Sequence, residues 1–396
     1  MKKKFLLILL FLVMVTFLSF AVEDKDIKSQ VVESKLIIEE IENLDLSDLE
    51  REIRNLSSVG NNMLTETSLK DIILDFVQGE INFNLRAIIK TAVKLLGQEL
   101  KANISILAQV IFLAVISSIL SIFSSSLTDD SISKAVNMLI FLILAILLMQ
   151  SFKIAINIGV EVTDNVTNFM QALMPLMLSL LAGMGAISSA AMFQPTVFVF
   201  ITFFASLVKY VVLPLFFISL VLKIMNNINE SIDFSRLAGL LKEIAATLLI
   251  LCFVVLNGAL LFQGGAMVVT DSLTLRAAKF LSSTFIPILG GYFSDALELV
   301  VSCSLLLKNA LTFFGIFTVF LVFAYPIVKL IALIALYKIT AALIQPLANN
   351  ERLVNVLDEM GNSLVLVFLT TLAMTFLAVI TLTIVVGAAN LIVMMR

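Results

Sequence analysis

The chain has 396 residues, of which 60% are hydrophobic and 14% are charged, with a mean hydropathy of +1.09. This composition lies outside the range of soluble domains and predicts an all-α, polytopic helical membrane protein in a lipid bilayer. The net charge of −3 offers no basic field for nucleic acid, and the lack of histidine excludes histidine-dependent hydrolases and histidine-bound metals. We therefore expect no nucleic-acid partner, cofactor, metal or enzymatic activity.

The N-terminus has the pattern of a secretory signal peptide. Three lysines, Lys2 to Lys4, precede an apolar run from Phe5 to Phe17. Small residues, Ser19 and Ala21, then occupy positions −3 and −1 of a cleavage site after Ala21. We predict residues 1–21 to be a signal peptide, with an uncleaved anchor as the alternative, and the residues that follow to be exported.

Residues 22–101 form the most polar part of the chain, with sixteen acidic and ten basic residues. We predict a small helical region on the non-cytoplasmic side, with a capping box at Ser47 and Glu50 opening one of its helices. Its last helix is amphipathic, because apolar positions from Leu85 to Leu96 lie opposite Arg86, Lys90, Lys94 and Lys101. This helix either lies on the membrane surface or packs against a neighbouring helix of the same exported region.

Beyond residue 101 the apolar runs are long enough to cross a hydrocarbon core of about 30 Å. We predict eight spans, with six as the lower bound, because the third and the sixth are interrupted. Residues 102–158 hold the first two spans, 159–265 a first membrane repeat and 266–396 a second. The predicted spans are 103–127, 135–157, 171–193, 196–223, 237–263, 282–306, 309–337 and 363–393.

The two membrane repeats are indicated by proline spacing and by a shared motif. Pro175 and Pro214 recur as Pro287 and Pro326 at an offset of 112, and R-L-x-x-x-L-x-E recurs at an offset of 116. With three crossings each, the copies would have opposite orientations, as in many transporters. The expected helix breaks are the four prolines with Gly290 and Gly291; the motif residues are Arg236, Glu243, Arg352 and Glu359.

Three polar residues inside apolar runs are candidates for a transport pathway. Lys209 lies fourteen residues from both Pro195 and Lys223, near the middle of the fourth span, where a charge costs about 2.5–3.5 kcal/mol on insertion scales. Asp271 follows Gly264 and Gly265 in a polar turn, and Asn257 lies within the fifth span. For each residue the alternative is structural, through snorkelling, an interfacial position or a hydrogen bond between helices.

The chain resembles the stage III sporulation protein AE family of endospore-forming bacteria. The resemblance is carried by Leu173–Pro175 with Leu181–Gly183, by Gly264–Asp271, by Lys279 with Phe285–Tyr292, and by the closing apolar span. It implies a subunit, similar to an export gate, of the secretion-system-like complex that joins mother cell and forespore. Its implied location is the mother-cell membrane around the forespore. Its implied partners are other stage III sporulation membrane subunits, a separate cytoplasmic ATPase and ring proteins of the intermembrane space.

Two other functions remain open from the residues alone. One is a stand-alone secondary transporter with Lys209 or Asp271 on a coupling-ion path, and the other is a membrane scaffold for other subunits. Lysine and arginine fall nearly evenly on alternate loops, so the positive-inside rule does not orient the spans. We expect a hetero-complex or a homo-oligomer, because many interrupted helices need partners to cover them.

Overall fold

The structure is a computed structural model that describes residues 47, 49–51, 85–124, 130–228, 233–285, 290–346 and 351–394. The predicted signal peptide, most of the predicted exported region and Pro287 lie outside these residues. The described residues are helical apart from short connections. This confirms the predicted all-α class.

The helices are few and long. We number them α1 to α8 in chain order, and a short π-helical segment joins α4 to α5. They are α1 Leu85–Ala102, α2 Ile104–Ser124, α3 Asp130–Gly183, α4 Ile187–Leu207, the π segment Val208–Val212, α5 Leu213–Ile228, α6 Ser235–Phe285, α7 Gly290–Ile344 and α8 Glu351–Met394.

The core of the molecule is built around α8. This helix contacts α3, α4, α5, α6 and α7, and 78% of its apolar segment is buried, against 39–44% for the other long helices. Such burial needs a helix that is apolar on all sides. Between residues 364 and 388 its polar residues are all threonines, whose hydroxyls donate to the carbonyl four residues earlier, as in Thr371 to Val367 and Thr375 to Thr371. The hydroxyls are thus satisfied within the helix and do not hinder its burial.

Five helical segments among the described residues are long and apolar enough to cross a membrane, fewer than the eight spans predicted. They are Phe141–Gly183, Ile187–Asn226, Ser235–Thr274, Leu307–Ile344 and Arg352–Ala388. With 37 to 43 residues each, they measure about 56–65 Å at 1.5 Å per residue, roughly twice the hydrocarbon thickness. Spans predicted separately at 282–306 and 309–337 belong largely to the single helix α7.

Pro175 and Pro326 were expected to break helices, and this expectation is wrong. Each lies inside a continuous helix, α3 and α7 respectively. Proline removes one backbone donor, and a helix continues through it when neighbouring helices support it; beside the exposed Pro175, Met174 and Met177 are buried. The break between α3 and α4 lies instead at residues 184–186, where Gly185 has a positive φ of 85° that glycine adopts without strain.

The predicted inverted orientation of the two repeats is not found in the helices that carry the motif. Lys223, near the end of α5, pairs with Glu359, near the start of α8, and a short connection leads from α5 to the start of α6. Further along, Gly264 of α6 lies against Ile384 of α8. The starts of the two motif helices both lie near the end of α5, and their later turns also lie together, so the two helices run parallel.

Helix α1 packs against the membrane bundle and not against another described helix of the predicted exported region. It contacts α7 and α2, and the Tyr325 hydroxyl of α7 donates to the Glu99 carboxylate at 2.9 Å. Lys90, Lys94 and Lys101 remain exposed on its other face.

Candidate functional site

The predicted mid-span charge, Lys209, lies in the π segment between α4 and α5. Pro214 follows this segment by two residues and lacks an amide hydrogen, while its ring crowds the carbonyl four residues earlier. The amide of Leu213 bonds to the Val208 carbonyl, five residues back. The extra residue of a π turn accommodates the proline without ending the helix, and such turns are frequent at functional sites. Pro214 thus deforms the helix without breaking it.

Lys209 forms an ion pair with Asp164 of α3. Its ammonium nitrogen lies 2.6 Å from the carboxylate Oδ1, and the exposed fractions of the two side chains are 22% and 47%. The ammonium also lies 5.8 Å from the centre of the Tyr210 ring. The pair neutralises a charge near the middle of the helical segment Ile187–Asn226. Its partial exposure leaves both groups within reach of solvent or a further ligand.

Further charged groups lie near this pair in height, on the α7 side of α3. Lys329 of α7 stands 5.9 Å from the Tyr325 ring, and Tyr325 bonds to Glu99. Glu161 of α3 acts electrostatically on the same tyrosine, and it is exposed. Five charged side chains therefore lie at a similar height in the bundle: Glu99, Glu161, Asp164, Lys209 and Lys329.

Asp271, the second predicted pathway residue, has a structural role at the break between α3 and α4. Its side chain is 1% exposed. Its two carboxylate oxygens accept the amide hydrogens of Ser188 and Ser189 at 3.1 and 2.8 Å. These amides belong to the first turn of α4, where the backbone has no intrahelical acceptor and the helix dipole favours an anion. Asp271 therefore caps α4 from α6.

Asn257, the third predicted pathway residue, is buried in α6. Its side-chain amide donates to the Phe253 carbonyl of its own helix at 2.7 Å. Its side-chain oxygen has no hydrogen-bond partner within the described part of the chain. It is not brought together with Lys209 or Asp271 in any hydrogen bond observed here.

The repeat motif opens two helices, and its acidic residues have different environments. Arg236 and Arg352 are the second residues of α6 and α8. Glu359 pairs with Lys223 at 2.5 Å, whereas Glu243 is exposed. The motif therefore marks equivalent helix starts, while only its second copy holds two helices together by an ion pair through its glutamate.

A second ion pair stabilises the same end of α8. The Lys338 ammonium contacts the Asp358 carboxylate and lies 3.1 Å from the Asn362 oxygen. Gly361 makes this approach possible, because a methyl group there would lie 3.0 Å from the Lys338 side chain. Gly290 and Gly291, which were predicted to break a helix, form the first turn of α7.

Lys308 is a buried polar residue that sequence reasoning missed. It was assigned to a loop between two spans, whereas it lies inside α7 and is fully buried. Its ammonium donates to the Val386 carbonyl at 3.0 Å and to the Asn390 side-chain oxygen at 3.1 Å. No local signal separates such a lysine from an interfacial one, since its acceptors lie on α8, 78 and 82 residues away.

Comparisons with known proteins agree with the resemblance. The family model described as stage III sporulation protein AE matches residues 67–389. The Stage III sporulation protein AE of Bacillus subtilis (strain 168) is 33% identical over 342 residues, which cover 85% of this chain and 86% of the relative. No solved structure matches the chain.

Proposed function

Since this chain belongs to the stage III sporulation protein AE family, we propose that it is a multipass, export-gate-like subunit of the secretion-system-like channel complex between mother cell and forespore. The family consists of sporulation membrane proteins, and the apolar helices fit a position in the bilayer. The observation that favours a conduit is the partly exposed Lys209–Asp164 pair near the middle of long apolar helices. Charges at such a depth face water, a cavity or a protein partner.

The proposed location is the mother-cell membrane around the forespore, with residues 22–101 on the non-cytoplasmic side apart from α1, which packs against the bundle. The proposed partners are other stage III sporulation membrane subunits, a separate cytoplasmic ATPase and ring proteins of the intermembrane space. Helix α1 supports such contacts, because it is held to the bundle through Glu99 while Lys90, Lys94 and Lys101 stay exposed. A hetero-complex or a homo-oligomer is part of the proposal.

The proposal is tested by deleting the chain's gene in the endospore former that encodes it. We expect engulfment to proceed and heat-resistant spores to fall by orders of magnitude, with recovery when the wild-type gene is restored. An affinity-tagged copy should bring down the ATPase and the ring proteins from membranes of sporulating cells but not from vegetative cells. Normal spore counts in the deletion strain would refute a role in endospore development.

A stand-alone secondary transporter is the second candidate, favoured by the placement of Lys209 in a π turn with an acidic partner. A carrier of this kind would work without other subunits. Purified protein in liposomes should then move solute in response to an ion gradient, and Lys209→Met should abolish that movement. Solute movement in liposomes without any partner would favour this candidate over the complex subunit.

A further inference from the structure

One exposed side of α3 changes from apolar to polar along its length. Near residues 138–146 the exposed side chains are methionine, leucine and isoleucine. From residue 150 to residue 168 the exposed positions, apart from Ile154, carry polar side chains spaced at three to seven residues, so they lie on one side of the helix. We call this set the α3 stripe: Gln150, Lys153, Asn157, Glu161 and Asn168.

The α3 stripe is as long as a membrane is thick. Eighteen residues separate Gln150 from Asn168, which corresponds to about 27 Å at 1.5 Å per residue, close to the 30 Å of a hydrocarbon core. The opposite side of α3 is buried against the bundle, with Phe152, Val162 and Phe169 each at most 1% exposed. The helix is therefore fixed in rotation, so the stripe cannot turn inward.

Contacts with α4 and α5 define the height of the α3 stripe in the bundle. The Phe152 and Phe217 rings stack 6.2 Å apart, a methyl group on Gly159 would lie 3.4 Å from Leu213, and Asp164 pairs with Lys209. Residues 152–164 of α3 therefore lie level with residues 209–217.

At this height α4 and α5 present apolar side chains to their surroundings beside the Lys209–Asp164 pair. Val211 is 39% exposed and Ile218 is 46% exposed. On α6, one acidic residue, Glu243, is exposed beside Leu240 and Ile244, which are about half exposed. The α3 stripe differs, because a polar residue recurs on it from Gln150 to Asn168.

Helix α1 also carries an exposed polar face. Lys90, Lys94, Gln98 and Lys101 are exposed and spaced by three or four residues, so they form one face. The Glu99 carboxylate of α1 accepts a hydrogen bond from the Tyr325 hydroxyl of α7. Glu161 of α3 interacts electrostatically with the same tyrosine. Helices α1 and α3 both pack against α7, and each carries polar residues on its exposed face.

We infer that the α3 stripe and the exposed face of α1 form the wall of a water-filled passage for hydrated polar solutes. Exposed charges and amides at membrane depth are stable only beside water or a polar partner, since lipid offers no hydrogen bonds. The mixture of ammonium, carboxylate and amide groups provides both donors and acceptors, as a hydrated solute requires. The inference rests on the proposed function, because it names the surface along which such a subunit would conduct.

The test is cysteine accessibility in membranes of sporulating cells, with Cys252 and Cys303 both replaced by alanine. Asn157→Cys and Glu161→Cys probe the α3 stripe, and Val211→Cys and Ile218→Cys are controls at the same height on the apolar side. Each variant is exposed to a membrane-impermeant, charged maleimide. We expect labelling of the stripe cysteines at least several-fold faster than labelling of the controls. Lys153→Cys replaces either stripe variant that does not reach the membrane.

Two results would overturn the inference. Protection of the stripe cysteines in intact membranes, with labelling after denaturation, would mean that lipid or protein seals this side. Equal labelling at all four positions would mean that this height of the bundle lies outside the bilayer. Neither result changes the spore counts expected of the deletion strain. The labelling experiment can therefore refute the passage without refuting the proposed role in sporulation.

Discussion

Helices α3 and α8 both place polar residues in apolar surroundings, and they do so in opposite ways. The polar groups in residues 364–388 of α8 are hydroxyls bonded to their own helix, as in the buried Thr371 and Thr375. Those of the α3 stripe are amides and charges, and they are exposed. A hydroxyl can be satisfied by the carbonyl of the preceding turn, whereas a charge must keep water or an ionic partner. Side-chain chemistry therefore decides which helix occupies the centre.

The largest expected effect comes from placing a charge in α8. Thr375 is 4% exposed, and Thr375→Lys should destabilise the protein by more than about 4 kcal/mol because it buries an unpaired ammonium. The matched control is Asn157→Lys in the α3 stripe, which should change stability by less than about 0.5 kcal/mol. Loss of helical circular dichroism on heating in detergent measures both. Equal stability of the two variants would invalidate the contrast between the helices.

The second expected effect concerns the buried carboxylate of Asp271, both oxygens of which accept hydrogen bonds. Asp271→Ala removes the acceptors of the Ser188 and Ser189 amides, and leaving these donors buried should cost about 3 kcal/mol. Asp271→Asn retains one side-chain acceptor and should cost less. The same thermal measurement distinguishes the two, and an Asp271→Ala protein as stable as the wild type would show that α4 is not capped in this way.

The third effect tests the packed side of α3. A methyl group on Gly315 of α7 would lie 2.6 Å from Leu173 of α3, so Gly315→Ala should cost about 2 kcal/mol through overpacking. Gly258→Ala in α6 is the matched control, because nothing lies within 4 Å of the added group. There the higher helix propensity of alanine should stabilise the protein by up to about 1 kcal/mol. A lower melting temperature for Gly258→Ala than for Gly315→Ala would contradict this packing.

A smaller effect is expected at the Lys209–Asp164 pair. Because Asp164 is about half exposed, it can hydrate when its partner is lost, and Lys209→Met should cost about 1 kcal/mol. Adding Asp164→Asn should recover part of the loss, since no unpaired charge then remains. Detergent unfolding of the two single variants and the double variant gives the coupling. A cost near that of Thr375→Lys would instead place the pair in a sealed interior.

The smallest effect is expected for Thr371→Val in α8. The Thr371 hydroxyl bonds only to the Val367 carbonyl in the observed contacts, and valine has nearly the same shape. Stability should change by no more than about 1 kcal/mol. Spore formation with this variant should match the wild type. A severe sporulation defect with unchanged stability would give the buried hydroxyls a functional role that their intrahelical bonds do not suggest.

Much of the membrane character and the family of this protein follow from its sequence alone. Long apolar runs have one stable form in a bilayer, so the all-helical class was predictable from composition. The resemblance to stage III sporulation protein AE rested on short stretches that the family comparison supports. Lys209 was recognisable as a mid-span charge because its distance to both span ends can be counted along the chain.

Only the tertiary structure decided which groups meet. The partners of Lys209, Asp271 and Lys308 lie 45 to 83 residues away in sequence, and no local periodicity encodes such distances. The continuity of α3 through Pro175 and of α7 through Pro326 likewise depends on neighbouring helices, because proline alone favours a break. The sequence thus determined what can enter a membrane, whereas packing decided which side of each helix is buried and which is exposed.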